Sequence, residues 1–319
     1  KHPNFRPVDC KIGPDGAVYV ADWYNSIINH AQHDFRDARR DHEHGRIWRI
    51  THKDRPLIEK PKLFGVSLTN LLNHLKSPNT WTRHQARKEL SEREHETVLA
   101  ATEAWVEKLN PEEPRYAEHL VEAMWTCQNV ESPSELILKK VLASKDGNAR
   151  SAGARVIRYW HASLSDPVAM IKQLAGDPFP RTRMEAVLSA GFIPKAEAFP
   201  AALTMLDHER DKFIDAALPQ TVKALEPYWQ PRLREGKLKF AKPAHKKFAE
   251  QSAGLDFDDR LNKFLKKQAH RAEEVASIKA QLIAEGTTRQ VRGVVNALTS
   301  KQSVLPRDSS LALLEALEA

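Results

Sequence analysis

Cysteine is scarce in this chain of 319 residues, and its scarcity excludes several kinds of site. The two cysteines, Cys10 and Cys127, are too few for a disulfide framework or a cysteine-rich zinc site. The sequence contains no C-x-x-C-H motif, so we expect no covalently attached haem on this chain. Because both cysteines lie in segments with an apolar context, we predict that each is a small buried residue.

Long apolar runs are also missing. No segment approaches the about 18 consecutive apolar residues that indicate a membrane-spanning helix, so the sequence predicts no transmembrane segment. The content of 41% hydrophobic and 29% charged residues fits a globular chain with a sizeable core. A length of 319 residues would suit two domains of ordinary size.

The net charge of +7 is distributed unevenly. Residues 231–301 contain 16 Lys and Arg against 8 Asp and Glu, a balance of +8, so the rest of the chain sums to −1. Residues 232–247 alone hold seven bases and one acid. Such a cluster can attract a phosphate backbone, although a solvated loop is the commoner explanation, and only Phe240 is interleaved as a stacking side chain.

The first 50 residues predict three short antiparallel strands. Val8–Ile12 and Ala17–Ala21 are rich in β-forming residues and flank the turn sequence Gly13-Pro14-Asp15-Gly16. Gly45–Ile50 alternates apolar and basic residues around Trp48. Three strands with one tight hairpin are typical of a partial β-propeller blade, which we assign to residues 1–55.

These residues resemble a known family. The matching segments are Phe5-Arg6-Pro7, Ala21–Asn25, His30 and Arg40–Arg49. They are similar to the last blade of the quinoprotein sugar-dehydrogenase-like propellers, and more closely to the PVC-type membrane-bound dehydrogenase and haem-binding family. The resemblance implies a longer parent protein that supplies the missing propeller blades and a haem domain. It also implies a PQQ-like quinone and a c-type haem in that parent, a periplasmic or exported location, and oxidation of a sugar or alcohol.

Under that resemblance, the loop after the second strand is a candidate catalytic site. The candidate catalytic residues are His44, Arg46, Asp41 and His42, and the candidate cofactor-binding residues are Asp22 and His30. A histidine suits the base that takes a proton from an alcohol as hydride leaves, while Arg and Asp can orient it or anchor an anionic cofactor.

Other interpretations of the loop stay open. Asp41, His44 and Arg46 can instead form a buried hydrogen-bond network that fixes the loop to the last strand. His42-x-His44 spacing is compatible with a metal, but the spacing alone is weak and we predict no metal site. Asp22 directly follows a strand, so it can cap the loop rather than ligate a cation.

After a linker at residues 56–66, the hydrophobic period changes from two to 3.6, which indicates helices. Residues 67–230 contain four related units that begin near Ser77, Asp146, Asp177 and Asp211, each with an Asp or Ser turn, and Arg or Ala further on. This pattern resembles HEAT-type repeats, whose stacked hairpins form an α-solenoid. We predict that Trp105, Trp125, Trp160 and Trp229 pack between repeats.

The remaining chain is predicted to leave and then resume the helical pattern. Prolines and basic residues indicate an extended excursion that begins near Leu225 and has room for short helices. We assign this segment to residues 231–257. Residues 258–319 read as further helical hairpins, opening with one long helix that ends near Gly286. The fold class is therefore mostly α, a HEAT-like α-solenoid preceded by a partial antiparallel propeller blade.

Three functions follow as expectations. The chain is a fragment of a dehydrogenase-like protein whose helical repeats dock a haem domain or another partner, or it is a non-enzymatic scaffold for a protein partner. Nucleic-acid binding through residues 232–247 is a lesser alternative. Because three strands alone are marginally stable, we also expect Trp23, Tyr24 and Trp48 to pack partly on the first helical units.

Overall fold

The computed structural model describes residues 2–27, 34, 36–300 and 302–318. Helices make up most of the described chain, and the strands lie near the N-terminus in one small antiparallel sheet. This confirms the predicted fold class of a mostly α protein preceded by a partial blade. No helix among the described residues is both long and apolar enough to cross a membrane.

The sheet contains β1 (Pro7–Ile12), β2 (Val18–Asp22) and β3 (Arg46–Ile50) in the order β1-β2-β3. Cys10 pairs with Val20, which pairs on its other side with Trp48. The β1–β2 turn forms because Gly16 adopts a φ of 80°, and because the Asp15 carboxylate accepts a hydrogen bond from the Ala17 amide.

Little of the structure covers this sheet. Every residue of β1 and β3 is exposed, and the buried apolar side chains nearby include Ala17 and Val20. The prediction that Cys10 is buried is therefore wrong, because β1 is an edge strand that the described residues leave exposed. The expected packing of Trp23, Tyr24 and Trp48 on the helices is also wrong, since both indoles are exposed and Tyr24 instead contacts His2 and Arg46.

The described chain divides into two compact units. The first contains Lys1–Ser165 and Pro178–Glu185, and the second contains Asp166–Asp177 and Ala186–Ala319. The sheet and the first helical hairpins belong to the first unit. Within it, the β1–β2 turn contacts both the linker and the helical part. The Ile58 amide of the linker donates to the Asp15 carbonyl, and the side-chain amide of Asn79 donates to the Gly13 carbonyl, both at 3.0 Å.

The helices of the first unit form stacked hairpins. They are α1 (Leu68–His74), α2 (Thr80–Ser91), α3 (His95–Glu107), α4 (Tyr116–Asn129), α5 (Glu135–Leu142) and α6 (Gly147–Trp160), followed by the beginning of α8 (Pro180–Ala190). Helices α1, α3 and α5 pack in one layer, and α2, α4 and α6 pack in a second. Each hairpin buries an apolar face against its neighbours, which is the arrangement of a helical repeat.

Asp146, a predicted turn residue, caps its helix as expected, whereas α2 is capped by Asn79, two residues after the predicted turn residue Ser77. Asn79 and Asp146 are N-cap residues whose side chains accept hydrogen bonds from the first-turn amides of α2 and α6. The arginine further along each helix reaches back to the turn that precedes it. Arg83 donates to the Ser77 and Pro78 carbonyls, Arg150 donates to the Ser144 and Lys145 carbonyls, and Arg183 donates to the Pro178 carbonyl. Backbone groups that the turn leaves without partners are thereby satisfied.

The second unit contains α7 (Pro167–Ala175), the rest of α8, α9 (Ala198–Ala202), α10 (Lys212–Arg234), α11 (Pro243–Ser252), α12 (Leu255–Leu265), α13 (Ala272–Glu285), α14 (Thr288–Thr299) and α15 (Arg307–Glu318). Asp211 caps α10, as its position at the fourth predicted repeat indicates. Helix α13 ends at Gly286 as predicted.

The predicted extended excursion is mostly helical. Helix α10 continues through Pro219, Pro227 and Pro231, and residues 243–252 form α11. Leu225 and Trp229 are fully buried along α10, which favours the helix despite its prolines. Pro227 cannot donate an amide to the helix. The Trp229 indole adds a hydrogen bond within α10 by donating to the Val222 carbonyl at 3.0 Å.

The single long helix predicted from residue 258 is wrong. The chain forms α12 and α13, and the break between them is organised by His270. Its ring stacks on Phe264 with 3.8 Å between centroids and also hydrogen-bonds to the Phe264 carbonyl and the Ser309 hydroxyl. These contacts turn the chain so that the apolar faces of the two helices join one cluster around Leu261, Ile278 and Leu313.

Candidate functional site

Asp22, a predicted cofactor-binding residue, lies at the end of β2 and is buried. Its carboxylate accepts hydrogen bonds from the Arg6 amide at 2.7 Å, the Tyr24 amide at 2.9 Å and the Trp48 indole at 2.8 Å. Burial raises the pKa of this carboxyl, but the hydrogen bonds from Trp48, Arg6 and Tyr24 outweigh it and leave the pKa lowered. Asp22 therefore joins the N-terminal segment, the loop and β3 as a charged structural centre.

Arg46, a predicted catalytic residue, begins β3 and contacts an aromatic ring. Its guanidinium lies 3.4 Å from the centre of the Tyr24 ring, which also stacks with the His2 ring. Tyr24 has a φ of 54°, an uncommon backbone conformation for a bulky residue. Together with Phe5, Trp48 and Asp22, these residues line an open cavity of about 410 Å³ on one face of the sheet.

Asp41 and His44 form a separate pair on the surface. The His44 Nδ1 atom lies 3.0 Å and 3.1 Å from the two carboxylate oxygens of Asp41. Asp41 also accepts the Glu43 and His44 amides, and these hydrogen bonds lower the pKa of its carboxyl, the Glu43 amide having the largest effect. The carboxylate thus holds the imidazole in one orientation, which is the arrangement of a base and the group that orients it.

The other predicted residues are not brought into this pair. His42 is exposed, and His30 lies outside the described residues. The alternative of a buried network of Asp41, His44 and Arg46 is wrong, because His44 and Arg46 are exposed and Arg46 contacts Tyr24 instead. Among the residues that the structure describes, no group of three or more His, Cys, Asp or Glu side chains is placed to hold a metal ion.

A second candidate site lies on the helical part of the first unit, and sequence reasoning missed it. Glu122 on α4 is buried and pairs with Arg83, whose Nε lies 2.9 Å away, and with Arg87. Glu185 on α8 is buried and pairs with Arg155 and with Arg158, whose Nη2 lies 2.7 Å away. We call these the first and second arginine clamps; each places two guanidiniums around one carboxylate.

A groove of about 400 Å³ runs across α4 and α6 between the two clamps. Val121, Val156 and small side chains line it, and Trp125 and Tyr159 stand in it with 39% and 62% of their surfaces exposed. The prediction that Trp125 packs between repeats is therefore wrong, whereas Trp105, Trp160 and Trp229 are buried as predicted. The guanidinium of Arg87, which belongs to the first clamp, lies over the Trp125 ring at 5.8 Å from the ring centre.

The basic stretch at residues 232–247 carries less free charge than its sequence indicates. Five of its seven bases are paired with acidic side chains: Arg232 with Glu197, Arg234 with Asp258, Lys237 with Glu235, Lys242 with Asp207, and Lys246 with Glu250. These pairs reduce the positive field that a phosphate backbone would meet. Nucleic-acid binding stays a prediction without further support from the geometry.

The fold and these sites define a class: a blade-like antiparallel sheet followed by helical repeats that carry a surface groove. Comparison with protein families finds one match, at residues 1–54, to a domain of unknown function, DUF7133. That match coincides with the sheet and its loops. Comparisons with curated proteins and with solved structures find no match.

Proposed function

We propose that this chain is a docking scaffold that holds a protein partner on its helical repeats. The observation that carries the proposal is the groove on α4 and α6, where two large aromatic side chains stay exposed between two arginine clamps. Exposed aromatic and arginine side chains are the types that dominate binding energy at protein interfaces. Helical repeats provide extended surfaces of this kind.

The sheet supports the scaffold function in a different way. Val8, Ile47 and Ile50 are exposed, and the outer strands β1 and β3 each have one edge that pairs with no other strand of the described chain. In our proposal, further β-sheet of a longer parent protein covers these residues, and the blade thereby attaches the helical repeats to that parent. The resemblance to the PVC-type family motivates this step, together with a periplasmic or exported location.

Quantitative affinity purification of the full-length protein from its native cells tests the scaffold function. We expect Trp125→Ala with Tyr159→Ala to remove a defined set of co-purifying proteins. Tyr228→Ala, which removes an exposed aromatic ring in the second unit, is the control and retains that set. Identical co-purifying proteins from the two variants would contradict the proposal.

A second candidate function is oxidation of a sugar or alcohol by the parent, favoured by the Asp41–His44 pair. In this proposal His44 accepts the proton of the substrate alcohol, Asp41 orients His44, and His42 and Arg46 complete the polar loop. A quinone in the parent would supply the hydride acceptor. The cavity beside Arg46 fits an anionic quinone only in part, because Asp22 lines the same cavity and balances its charge.

A covalent haem does not fit this chain, because Cys10 and Cys127 are far apart in sequence and Cys127 is buried. A haem domain is therefore a proposed partner in the parent. The test is dye reduction by the full-length protein with a panel of sugars and alcohols. We expect His44→Gln to abolish substrate-dependent reduction and Asp41→Asn to shift its pH profile; unchanged activity in His44→Gln would refute the catalytic role of His44.

A further inference from the structure

We infer that the groove between the two arginine clamps binds an extended acidic segment of a partner protein, in which two carboxylates flank an apolar side chain. This inference rests on the proposed scaffold function and names the chemistry of the partner. Three features of the groove support it: the two clamps at its ends, the aromatic pair between them, and the distance from one clamp to the other.

The clamps carry more positive charge than the fold requires. A buried carboxylate needs a compensating cation, and each of Glu122 and Glu185 has two guanidiniums. Each clamp therefore has a net charge of +1, and the exposed Arg181 adds another positive charge to the groove lining. This excess favours an anionic occupant at both ends of the groove.

The other acidic residues of the groove lining have structural partners. The Asp146 carboxylate caps α6 by accepting the Asn148 amide at 2.7 Å. Glu118 pairs with Arg115 at 2.7 Å, so that this pair is neutral as a whole. The lining holds Arg83, Arg155 and Arg181 against four acids; counted with the arginines outside the lining that pair with these acids, Arg87, Arg115 and Arg158, the balance is +6 against −4. The groove is therefore positive overall.

The second clamp has donors available for an incoming carboxylate. Arg155 uses its Nε and one Nη atom on Glu185, and 51% of its side-chain surface is exposed. A guanidinium has five N–H donors, so its outer edge can bind a second carboxylate. The first clamp is more rigid, because Arg83 also donates to the Ser77 and Pro78 carbonyls. In our inference the first clamp attracts a partner carboxylate through its net positive charge.

The middle of the groove favours an apolar side chain. Val121, Val156 and Ala152 form its floor, and the Trp125 and Tyr159 rings rise beside it. Large rings at the centre of an interface supply contact area with little loss of conformational entropy. An apolar residue of the partner would cover these rings and exclude water from the charged groups at both ends.

The spacing of the helices sets the length of the segment. Helices α2, α4, α6 and α8 follow one another, and neighbouring packed helices lie about 9 Å apart. The midpoint between α2 and α4 is then about 18 Å from the midpoint between α6 and α8. An extended chain advances about 3.4 Å per residue, so the two partner carboxylates lie about five to six residues apart.

The test is selection of binders from a displayed library of random peptides of about 12 residues, a length that spans the groove. We expect enrichment of peptides with two acidic residues about five to six positions apart and an apolar residue between them. Enrichment of basic peptides, or no enrichment at all, would overturn the inference. The affinity purification described above can still show a partner in that case, so failure of the acidic specificity is distinguishable from failure of the scaffold function.

Substitutions in the protein test whether a selected peptide binds in the groove. Arg155→Gln and Tyr159→Ala are expected to weaken a selected peptide by about tenfold or more, whereas Arg93→Gln, at an arginine beyond the end of α2, leaves its affinity unchanged. Equal losses in Arg93→Gln and Arg155→Gln would indicate a general charge effect and overturn the inference. Sedimentation of the free protein gives a further outcome: a dimer that Tyr159→Ala dissociates would assign the groove to a second copy instead.

Discussion

The helical hairpins of the first unit bury their apolar residues, whereas the sheet exposes many of its own. In the hairpins, Leu71, Leu90 and Ile137 are completely buried. In the sheet, Val8 and Ile47 expose 65% and 76% of their surfaces, although they lie in regular strands. Two regions of one chain can thus both be regular in secondary structure while only one of them has its own hydrophobic core.

The difference shows that different forces hold the two regions. Burial of apolar side chains stabilises the hairpins, whereas polar contacts connect the sheet, with Asp22 linking three segments and Asp15 joining Arg49 and Tyr19. A three-stranded sheet without a covered face is marginally stable by itself. Its exposed apolar residues are therefore the observation on which our proposal of a covering β-sheet rests.

The largest expected effect comes from removing the same side chain in each region. Ile137→Ala leaves a cavity between α5 and its neighbours and is expected to lower the free energy of unfolding by about 2–5 kcal/mol. Ile47→Ala removes an exposed side chain and should cost less than about 1 kcal/mol. Urea unfolding followed by far-UV circular dichroism measures both. Similar losses in the two variants would mean that the sheet is packed in solution, and the contrast between the regions would fail.

A smaller effect is expected where close packing admits no added methyl group. A Cβ at Gly147 would lie 2.5 Å from the Phe179 ring, so Gly147→Ala should destabilise the first unit by about 1–3 kcal/mol. Gly45→Ala, before β3, is the matched variant, because its Cβ would make only an ordinary contact at 3.7 Å with the Asp22 carbonyl. Thermal unfolding compares them. A destabilisation of the Gly45 variant that equals that of Gly147→Ala would contradict the open packing of the sheet.

The hydrogen bonds that Asp22 accepts within the sheet can be tested separately, and their loss is expected to affect only nearby residues. Asp22→Ala removes the acceptor of the Arg6 and Tyr24 amides and of the Trp48 indole. We expect faster hydrogen exchange at those two amides and red-shifted fluorescence from Trp48, while amides in α4 keep their protection. Asp9→Ala is the control, since Asp9 is an exposed residue of the same sheet. Unchanged exchange at Arg6 and Tyr24 would show that Asp22 does not hold the segments together.

The sequence predicts the strands well because the signals that form them are local. Each observed strand lies within one residue of its predicted bounds, since the Gly13–Gly16 turn sets the hairpin and β-forming residues flank it. The capping roles of Asp146 and Asp211 are local in the same way. The pairing of Asp41 with His44 also joins residues three positions apart, and sequence reasoning selected both.

The features that sequence reasoning missed depend on contacts between distant segments. Prolines predicted that the chain leaves the helical pattern near Leu225, yet burial of Leu225 and Trp229 keeps α10 continuous. The break between α12 and α13 depends on His270, whose partner Ser309 lies 39 residues away. The groove is a further example, because Glu122 is 39 residues from Arg83 and only the packing of α2 on α4 brings them together. Arginines spaced by three or four positions on α2 and α6 were the available signal.

The smallest expected effect concerns charged contacts, where the two regions behave alike. The Lys139 ammonium and the Ser165 hydroxyl and amide lower the pKa of Glu135 from 4.5 to about 2. In the sheet, burial raises the pKa of Asp15, but hydrogen bonds from Arg49, Ala17 and Tyr19 outweigh it and leave the pKa lowered. Both carboxylates are therefore better stabilised in their ionised form in the folded protein than in the unfolded chain.

A folded-state pKa below the unfolded value has a definite consequence for stability. The contribution of Glu135 is complete above pH 4.5 and is lost as the pH falls toward about 2. We expect Glu135→Gln and Asp15→Asn each to lower the urea midpoint slightly at about pH 6 and to match the wild type near about pH 2. A pH-independent difference would show that the amide substitutions act through packing. If the difference in urea midpoint from the wild type depended on pH for only one of the two variants, the sheet and the hairpins would differ in their surface charge contacts as well as in their cores.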